Sequence, residues 1–298
     1  MNVKNIKKYT PGFNIHDIQK KYKIKKVIKL ASNENPFISD KVLSFIKKPN
    51  HKINLYPDSS PNELHKLIAS TVGHRISSDN IILGNGSNEV LEFIVRATVD
   101  NKSEVIIPKH SFLVYEIISK LQNAKIITAK PDSNKSTDNY LGINLESIIE
   151  RITKKTKLIF IANPANPTGT YIKLSKIEKF LKSVPKNISI IIDEAYYEYL
   201  NPNKNKSAVS LIKKYKNLFV TRSFSKMYGL ASLRVGYGVS SLDNISKLKM
   251  YKQPFNTNNF AQKAALLALK DHKFIRQSKE NNDIAMNKLI DLFSTLSI

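Results

Sequence analysis

The chain has 298 residues, no cysteine and a formal net charge of +24, from 48 basic and 24 acidic residues. The lack of cysteine excludes disulfides, a thiolate nucleophile and a cysteine-ligated metal site, which fits a cytoplasmic protein. A composition of 41% hydrophobic and 24% charged residues argues against global disorder, and the length predicts one large domain or two unequal ones.

The excess of positive charge does not by itself indicate a nucleic-acid partner. Nearly all of it is lysine, scattered in short blocks such as residues 20–26 and 213–216. Proteins that read nucleic acids favour arginine forks and aromatic platforms, and the sequence has no motif of that kind. The N-terminus lacks the apolar core of a signal peptide, and no apolar run approaches the ~18 residues needed to span a bilayer. We therefore expect no nucleic-acid partner, no membrane segment and no metal site.

Residues 80–240 alternate short apolar runs with amphipathic stretches, whereas residues 1–40 are mixed and carry turn signals. Short apolar strands separated by helices predict a mainly parallel sheet with helices on both faces. In such sheets, ligands bind at the carboxyl ends of the strands. The predicted strands are Asn80–Leu83, Glu104–Ile107, Lys125–Thr128, Lys157–Ile161, Ile188–Ile192, Leu218–Thr221 and Val235–Val239.

Helices are predicted between the strands and over the C-terminal part of the chain. The Gln253-Pro254 step separates two of them, because a residue that precedes proline avoids helical geometry. The predicted helices are Ser87–Thr98, Ser111–Gln122, Leu174–Val184, Leu242–Tyr251, Asn259–Lys270 and Phe274–Leu296.

The run Gly84-Asn85-Gly86-Ser87 follows the first strand and opens a helix. Glycines let the backbone approach an anion, and the free N–H groups at a helix start attract a phosphate. The run lacks the third glycine of a dinucleotide fingerprint and the Gly-Lys-Ser/Thr of a nucleotide P-loop. A plain strand-to-helix turn is therefore the simpler interpretation of this motif taken alone.

Two Asn-Pro steps lie in residues 163–169, directly after another strand. They predict an extended, rigid turn. The turn has a purely structural interpretation, and it has a functional one in which Asn166 is presented to a ligand. In the second case, its amide can donate a hydrogen bond to a phenolate oxygen.

The run Asp193-Glu194-Ala195-Tyr196 follows the strand that ends at Ile192. An acid at the end of a buried strand loses hydration and needs a cation or a donor. A protonated pyridine nitrogen would meet that need at Asp193, and Tyr196 could reach the phenolate oxygen of the same ring. The alternative is a helix-capping acid followed by a surface acid.

Lys226 lies in a Ser-x-Ser-Lys turn after a strand, and Arg234 follows it. Two serines and an arginine can hold a phosphate, because hydroxyls donate hydrogen bonds and a guanidinium grips oxyanions. A lysine beside a phosphate site indicates pyridoxal phosphate held as a Schiff base. Of the 48 basic residues six are arginine, so 42 are lysine, and an arbitrary lysine would be a solvated surface group. The interpretation therefore depends on the four signals occurring together.

The four signals, in this order, resemble the fold-type-I pyridoxal-phosphate aminotransferases, and within them the histidinol-phosphate aminotransferases. The resemblance covers nearly the whole chain and implies an α/β fold with a mainly parallel seven-stranded sheet covered by helices. Further runs that carry it are YTPGFNIHDI (9–18), IKLASNENP (28–36), LYPDSSPNELHKLIA (55–69), ILGNGSNE (82–89), HSFLVY (110–115), NPANPTGT (163–170), DEAYYEY (193–199), SFSKMYGLASLRVGYG (223–238) and QPFNTNNFAQ (253–262).

The resemblance implies three catalytic residues, which are Lys226, Asp193 and Tyr196. Lys226 would hold the cofactor and shuttle a proton, and Asp193 would keep the pyridine nitrogen protonated. Asn166 and Tyr196 would hydrogen-bond the ring O3′, and Phe112 would stack on the ring.

The resemblance also implies binding residues around this centre. Tyr56 would reach the cofactor phosphate of a neighbouring subunit, which implies a homodimer. Tyr9 and Asn33 would line the substrate pocket. The cofactor phosphate would be held by Gly86, Ser87, Ser223, Ser225 and Arg234.

The implied reaction is transamination between L-histidinol phosphate and 2-oxoglutarate, which gives imidazole acetol phosphate and L-glutamate in histidine biosynthesis. Two alternatives are open: a related pyridoxal-phosphate enzyme, such as an aromatic amino-acid aminotransferase or a phospho-amino-acid decarboxylase, and a non-catalytic fragment. Overall similarity of the flanking runs favours histidinol phosphate.

The resemblance divides the chain into three parts: an N-terminal segment (1–50) that contributes to a small domain and the substrate pocket, a large cofactor-binding domain (51–250), and the start of a small C-terminal domain (251–298). Members of the family continue beyond the point where this sequence stops, and they carry there an arginine that clamps the substrate carboxylate. We therefore expect the small domain to be incomplete. The six arginines, at 75, 96, 151, 222, 234 and 276, include none that matches the clamp.

Overall fold

The structure is a computed structural model, and it describes residues 12–48 and 52–296. The described residues form one sheet of seven strands. The strands are β1 (Ile81–Gly84), β2 (Glu104–Pro108), β3 (Lys125–Ala129), β4 (Thr156–Ala162), β5 (Ser189–Asp193), β6 (Leu218–Ser223) and β7 (Gly236–Val239). All seven predicted strands are confirmed, with bounds that move by one or two residues. The strand ends therefore lie where the sequence placed its chemistry-bearing motifs.

The α-helices of the described residues number ten. The six predicted helices are confirmed, although the one expected from Ser111 begins two residues later, because Phe112 has extended geometry and caps it. The helices are α1 (Ile15–Tyr22), α2 (Asp40–Ile46), α3 (Asn62–Val72), α4 (Ser87–Thr98), α5 (Leu113–Leu121), α6 (Leu145–Ile149), α7 (Leu174–Ser183), α8 (Leu242–Lys249), α9 (Asn259–Leu269) and α10 (His272–Thr295). Short 3₁₀ helices span Ser78–Asn80, Tyr197–Tyr199, Ala208–Leu211 and Ala231–Leu233.

The strand order is β1-β7-β6-β5-β4-β2-β3, and β7 is antiparallel to both of its neighbours. The other pairings are parallel, which confirms the mainly parallel sheet. Because β7 runs in the opposite direction, its amino end lies at the same edge as the carboxyl ends of β1, β4, β5 and β6. Arg234, just before β7, is thereby brought to the edge where the other motifs end.

Helices cover both faces of the central strands. Leu158, Ile159, Phe160 and Ile161 of β4 are all fully buried, although successive residues point to opposite faces. A continuous apolar run of this kind is what a strand covered on both sides requires. The core therefore fixes the middle of the sheet, and the strand ends are held against it.

The segment before α2 crosses the carboxyl edge of the sheet. Asn35 anchors it by donating one Nδ2 hydrogen bond to the carbonyl of Met227 at 2.9 Å and another to Ser278 Oγ of α10 at 3.1 Å. Nearby, Ser39 Oγ donates to Asp271 at 2.6 Å, which ties the start of α2 to the start of α10. These bonds place residues 31–34 over the cavity described next.

No described helix combines the length and the apolar character needed to cross a membrane. In the described ranges there is also no group of three or more His, Asp or Glu side chains arranged to hold a metal ion.

Candidate active site

A cavity of about 600 Å³ lies at the carboxyl edge of the sheet. Strand ends, the start of α4 and the segment of residues 31–34 form its wall. Most of the predicted site residues meet there, although they come from places spread along the chain. Those that line the cavity are Asn33, Ser87, Phe112, Asn166, Asp193, Tyr196, Ser223, Ser225, Lys226 and Arg234.

Asp193 ends β5, and its carboxylate is buried at the base of the cavity. Oδ2 accepts a hydrogen bond from the Tyr115 hydroxyl at 2.6 Å, and Oδ1 accepts one from Thr221 Oγ1 at 3.0 Å. Burial raises the pKa of Asp193 above its usual value, and these hydrogen bonds oppose the rise without cancelling it. Within the described ranges Asp193 forms no ion pair, so the site contains a buried acid that would be stabilised by a cationic ligand.

Lys226 projects into the same cavity from the turn after β6. Its Nζ donates a hydrogen bond to the carbonyl oxygen of Ser32 at 2.7 Å and lies 5.6 Å from the centre of the Tyr196 ring. Burial lowers the pKa of Lys226, Arg234 lowers it further, and Glu34 opposes the shift. The lysine therefore loses its proton more readily than a surface lysine, which a nucleophilic amine requires.

The start of α4 and the Arg234 side chain form one end of the cavity. Gly86 precedes the helix with φ +82°, and an added Cβ there would collide with the Arg234 guanidinium. At Gly236, an added Cβ would collide with the backbone nitrogen of Ser87. The guanidinium also lies 3.5 Å from Ser225 Oγ. Two glycines thus let a guanidinium, a helix N-terminus and serine hydroxyls converge, which is the donor set of a phosphate site.

Asn166, Tyr196 and Phe112 also line the cavity. The Tyr196 hydroxyl accepts a hydrogen bond from Asn33 Nδ2 at 3.1 Å. The rings of Phe112 and Tyr115 are perpendicular, with their centres 5.8 Å apart. Two hydrogen-bonding groups and an aromatic face are therefore available to a planar ligand.

Two described residues of the predicted site, Gly86 and Tyr56, are not among those that line this cavity, although Gly86 lies directly before Ser87, which does. Tyr56 is 81% exposed, and its ring stacks on Phe255 with centres 4.7 Å apart. Tyr9 lies outside the described residues. Tyr56 makes no contribution to the cavity of its own chain, and its proposed role needs a second copy.

A second polar cluster lies beneath the cavity on the opposite face of β5 and β6. Arg222 is buried and pairs with Glu194 at 2.8 Å and with Glu198 at 3.6 Å. Glu194 also accepts hydrogen bonds from Ser207 Oγ and from the backbone nitrogen of Ala208, both at 2.7 Å. The alternative that a surface acid follows Asp193 is therefore wrong: Glu194 is buried and paired.

Sequence reasoning missed three groups that the structure brings to the cavity. Tyr115 lies three residues after Phe112, one helical turn along α5, so it shares the cavity-facing side, and that spacing was the available signal. Ser32 and Glu34 belong to an irregular segment with no periodic pattern. Only the fold shows that they lie across from Lys226.

The residues present fit pyridoxal phosphate on three grounds. The carboxylate of Asp193, buried and without a cation among the described residues, suits a protonated pyridine nitrogen. The donor set at Arg234 suits a phosphate, and it depends on two glycines, because a Cβ at Gly86 would collide with the guanidinium and one at Gly236 with the backbone nitrogen of Ser87. Lys226 reaches the same cavity with a lowered pKa. These features are complementary to the three polar parts of one molecule.

Comparisons with known proteins agree with this geometry. A family model described as aminotransferase class I and II matches residues 25–296. Histidinol-phosphate aminotransferase 1 of Idiomarina loihiensis is 39% identical over 290 residues, which covers 97% of this chain and 77% of that protein. The crystal structure of histidinol-phosphate aminotransferase from Clostridium acetobutylicum is 31% identical with a TM-score of 0.72, and the match covers 83% of this chain and 71% of that chain. The Sinorhizobium meliloti protein of the same name, solved in complex with pyridoxal 5′-phosphate, shares the fold at 23% identity with a TM-score of 0.81, over 91% of this chain and 71% of that chain.

Proposed function

The chain belongs to the class I and II aminotransferases, and within them to the histidinol-phosphate aminotransferases, and we propose that it moves an amino group from L-histidinol phosphate to 2-oxoglutarate. The products are imidazole acetol phosphate and L-glutamate, and the cofactor is pyridoxal 5′-phosphate. The reaction belongs to histidine biosynthesis, and we place it in the cytoplasm.

The observation that supports this function most strongly is that Lys226 and Asp193 line one cavity without forming an ion pair in the described part of the chain. Burial lowers the pKa of the Lys226 amine and raises the pKa of the Asp193 carboxyl, which has no cationic partner among the described residues. A purely structural role for one of the two residues would not explain why the other ionisable group lines the same cavity.

Pyridoxal phosphate supplies a carbonyl carbon that takes the amino group and a ring that withdraws electrons from the substrate Cα. Lys226 would be the amine that holds the cofactor and the base that moves a proton at the substrate Cα. Asp193 would keep the ring nitrogen protonated, and Tyr115 and Thr221 fix the orientation of its carboxylate. Because these groups are already oriented, little reorganisation is needed in the transition state.

The remaining residues bind and orient. Ser87, Ser223, Ser225 and Arg234 would hold the phosphate at the start of α4, where the positive end of the helix adds to the attraction. Asn166 and Tyr196 would donate to the ring O3′, and Phe112 would stack on the ring. Ser32 keeps Lys226 directed into the cavity through its carbonyl oxygen.

Single-turnover half-reactions test this function directly. The purified protein is loaded with pyridoxal phosphate, and its absorbance is followed after L-histidinol phosphate or L-glutamate is added. We expect both substrates to convert the cofactor to its amino form, and Lys226→Ala, as the matched control, to be inactive. If glutamate reacts and histidinol phosphate does not, the substrate assignment is wrong. If neither reacts, transamination is wrong.

We further propose that the protein works as a homodimer in which Tyr56 serves the site of its partner. Large apolar side chains are exposed near it in sequence or in contact with it: Ile53 is 79%, Leu55 54% and Phe255 41% exposed. An exposed apolar patch of this kind marks a protein interface. A cavity of about 570 Å³, lined by Phe45, Leu55 and Phe260 among others, adjoins the same segment and offers a recess for a second copy.

A mixing experiment tests the shared site. Lys226→Ala and Tyr56→Phe chains are each expected to be impaired, and their heterodimer should regain one competent site. If heterodimers form without any gain in activity, each site is built from a single chain.

A further inference from the structure

The segment of residues 31–35 closes one side of the cavity and is fixed at three points. Ser32 accepts a hydrogen bond from Lys226, Asn33 donates one to Tyr196, and Asn35 donates to the carbonyl of Met227. Because both neighbours of Glu34 are held, its backbone has little freedom. Glu34 itself lines the cavity and raises the pKa of Lys226, so its carboxylate faces the same space as the reacting amine.

Four charged side chains line the cavity in the described part of the chain: Glu34, Asp193, Lys226 and Arg234. The last three each match one polar part of the cofactor. No polar part of the cofactor corresponds to the fourth charged side chain, Glu34. Since the substrate amino group must lie at Lys226, and Glu34 lines the same cavity and is partly exposed, the Glu34 carboxylate is open to the rest of the substrate.

The Glu34 carboxylate is oriented but is not enclosed. Lys29 Nζ contacts Oε1 at 2.7 Å, and 40% of the Glu34 side chain is exposed. A carboxylate has two oxygens and several lone pairs, so this contact leaves Oε2 able to accept a hydrogen bond from a ligand. Lys29 therefore orients the carboxylate, and Glu34 is the group that can bind a substrate.

We propose that Glu34 determines substrate specificity by accepting a hydrogen bond from the imidazole N–H of the amino donor. This inference depends on the proposed function, because it assigns the ring end of the same substrate. A carboxylate only accepts hydrogen bonds, so it matches a ring that carries a donor. A phenyl ring offers no donor, so it would displace water from Oε2 without replacing that hydrogen bond, and a site that binds a donor discriminates against analogues that lack it.

The test is a cycle of two enzyme forms and two substrates. Half-reactions of the cofactor-loaded protein are measured with L-histidinol phosphate and with L-phenylalaninol phosphate, which replaces the imidazole by phenyl. For the wild type, the ratio of their kcat/KM values should favour the imidazole by about tenfold or more. In Glu34→Leu this preference should fall to within about twofold, mainly through KM for histidinol phosphate. Glu34→Asp, which keeps the charge, should restore part of it.

Lys29→Met is the matched control, since it breaks the ion pair and leaves the carboxylate in place. It should retain the preference for imidazole. A second readout uses cofactor-loaded Lys226→Ala protein, in which calorimetry measures binding of both compounds without turnover. There, the added Glu34→Leu change should weaken histidinol phosphate and leave phenylalaninol phosphate nearly unchanged.

The outcomes separate two possible failures. If wild-type protein gives no half-reaction with histidinol phosphate, the proposed function fails. If it reacts, but Glu34→Leu slows both substrates equally or Lys29→Met removes the preference as fully as Glu34→Leu does, then Glu34 only holds the segment in place and the specificity role is wrong.

Discussion

Asp193 and Glu194 are adjacent acids at the end of β5, and they differ in the partners of their carboxylates. Glu194 points to the lower face of the sheet, where Arg222, Ser207 and Ala208 satisfy both of its oxygens. Asp193 points into the cavity and receives hydrogen bonds but no cation within the described ranges. One acid is matched by the protein, and the other is left for a ligand.

The difference between Asp193 and Glu194 separates polar groups that stabilise the fold from polar groups that bind a ligand. A buried charge pair that is complete resists change, because loss of one member leaves the other uncompensated. An acid kept without a cation costs stability in the cofactor-free protein and gains it when a cationic ligand binds. Neighbouring substitutions should therefore differ in which property they damage.

Glu194→Ala should have the largest effect on stability. It removes the main partner of buried Arg222 and leaves Glu198, at 3.6 Å, as a weaker substitute. We expect a loss of about 3 kcal/mol in the free energy of unfolding. Urea denaturation of the cofactor-free protein measures it as a lower midpoint with an unchanged m-value. A loss below about 1 kcal/mol would mean that the second polar cluster, formed by Arg222, Glu194 and Glu198, does not stabilise the fold.

Asp193→Asn should damage catalysis and spare the fold. The amide cannot keep the ring nitrogen protonated, so half-reactions should slow by roughly 10²–10³-fold. The cofactor-free protein should be as stable as the wild type or more so, because burial already disfavours the charged form of Asp193. Rates close to wild type, or a collapse of stability like that of Glu194→Ala, would contradict the ligand role of this acid.

Glu198 belongs to the second polar cluster, with Arg222 and Glu194, and it makes the free energy of unfolding depend on pH. Burial raises its pKa from 4.5 to about 7, against the opposing effect of Arg222. A folded-state pKa above the unfolded one means that the folded protein binds more protons between these values, so stability falls as pH rises from about 4.5 to about 7. Glu198→Gln should remove this decline, roughly 1–3 kcal/mol over that window. Chemical denaturation at several pH values checks it, and an unchanged pH slope would exclude Glu198 as the source.

Tyr115→Phe should have the smallest effect of the four. It removes the 2.6 Å hydrogen bond to Asp193 and leaves Thr221 in place. The loss of one such bond costs about 0.5–1.5 kcal/mol, which corresponds to cofactor binding weakened by about 2- to 12-fold. Titration of the cofactor-free protein with pyridoxal phosphate measures this. No change in affinity would show that Tyr115 does not support the acid.

The two faces also differ in how well the sequence predicts them. Cavity residues that follow a strand could be located from the sequence around them. Short apolar runs such as Ile190–Ile192 predict the strand, and ligands bind at the carboxyl ends of strands in a parallel sheet. Asp193 and Lys226 were found in this way. Their motifs are local in sequence, and their position depends only on the strand before them.

The partners of these residues could not be predicted in the same way. Tyr115 is 78 residues from Asp193, and Ser32 is 194 residues from Lys226. The burial of Glu194 was missed because its match, Arg222, lies on a different strand and its depth depends on the Ser207–Ala208 loop. Long-range pairing of polar groups follows from packing, which periodicity and turn signals do not encode.

Borohydride reduction of the cofactor-loaded protein tests most directly whether the cavity face is built for a ligand. Reduction fixes pyridoxal phosphate to the lysine that holds it, and peptide mapping by mass spectrometry identifies the site. Of the 48 basic residues six are arginine, so 42 lysines compete for the label. We predict one labelled residue, Lys226. A label on another lysine, or one spread over many, would contradict the assignment of the cavity to pyridoxal phosphate.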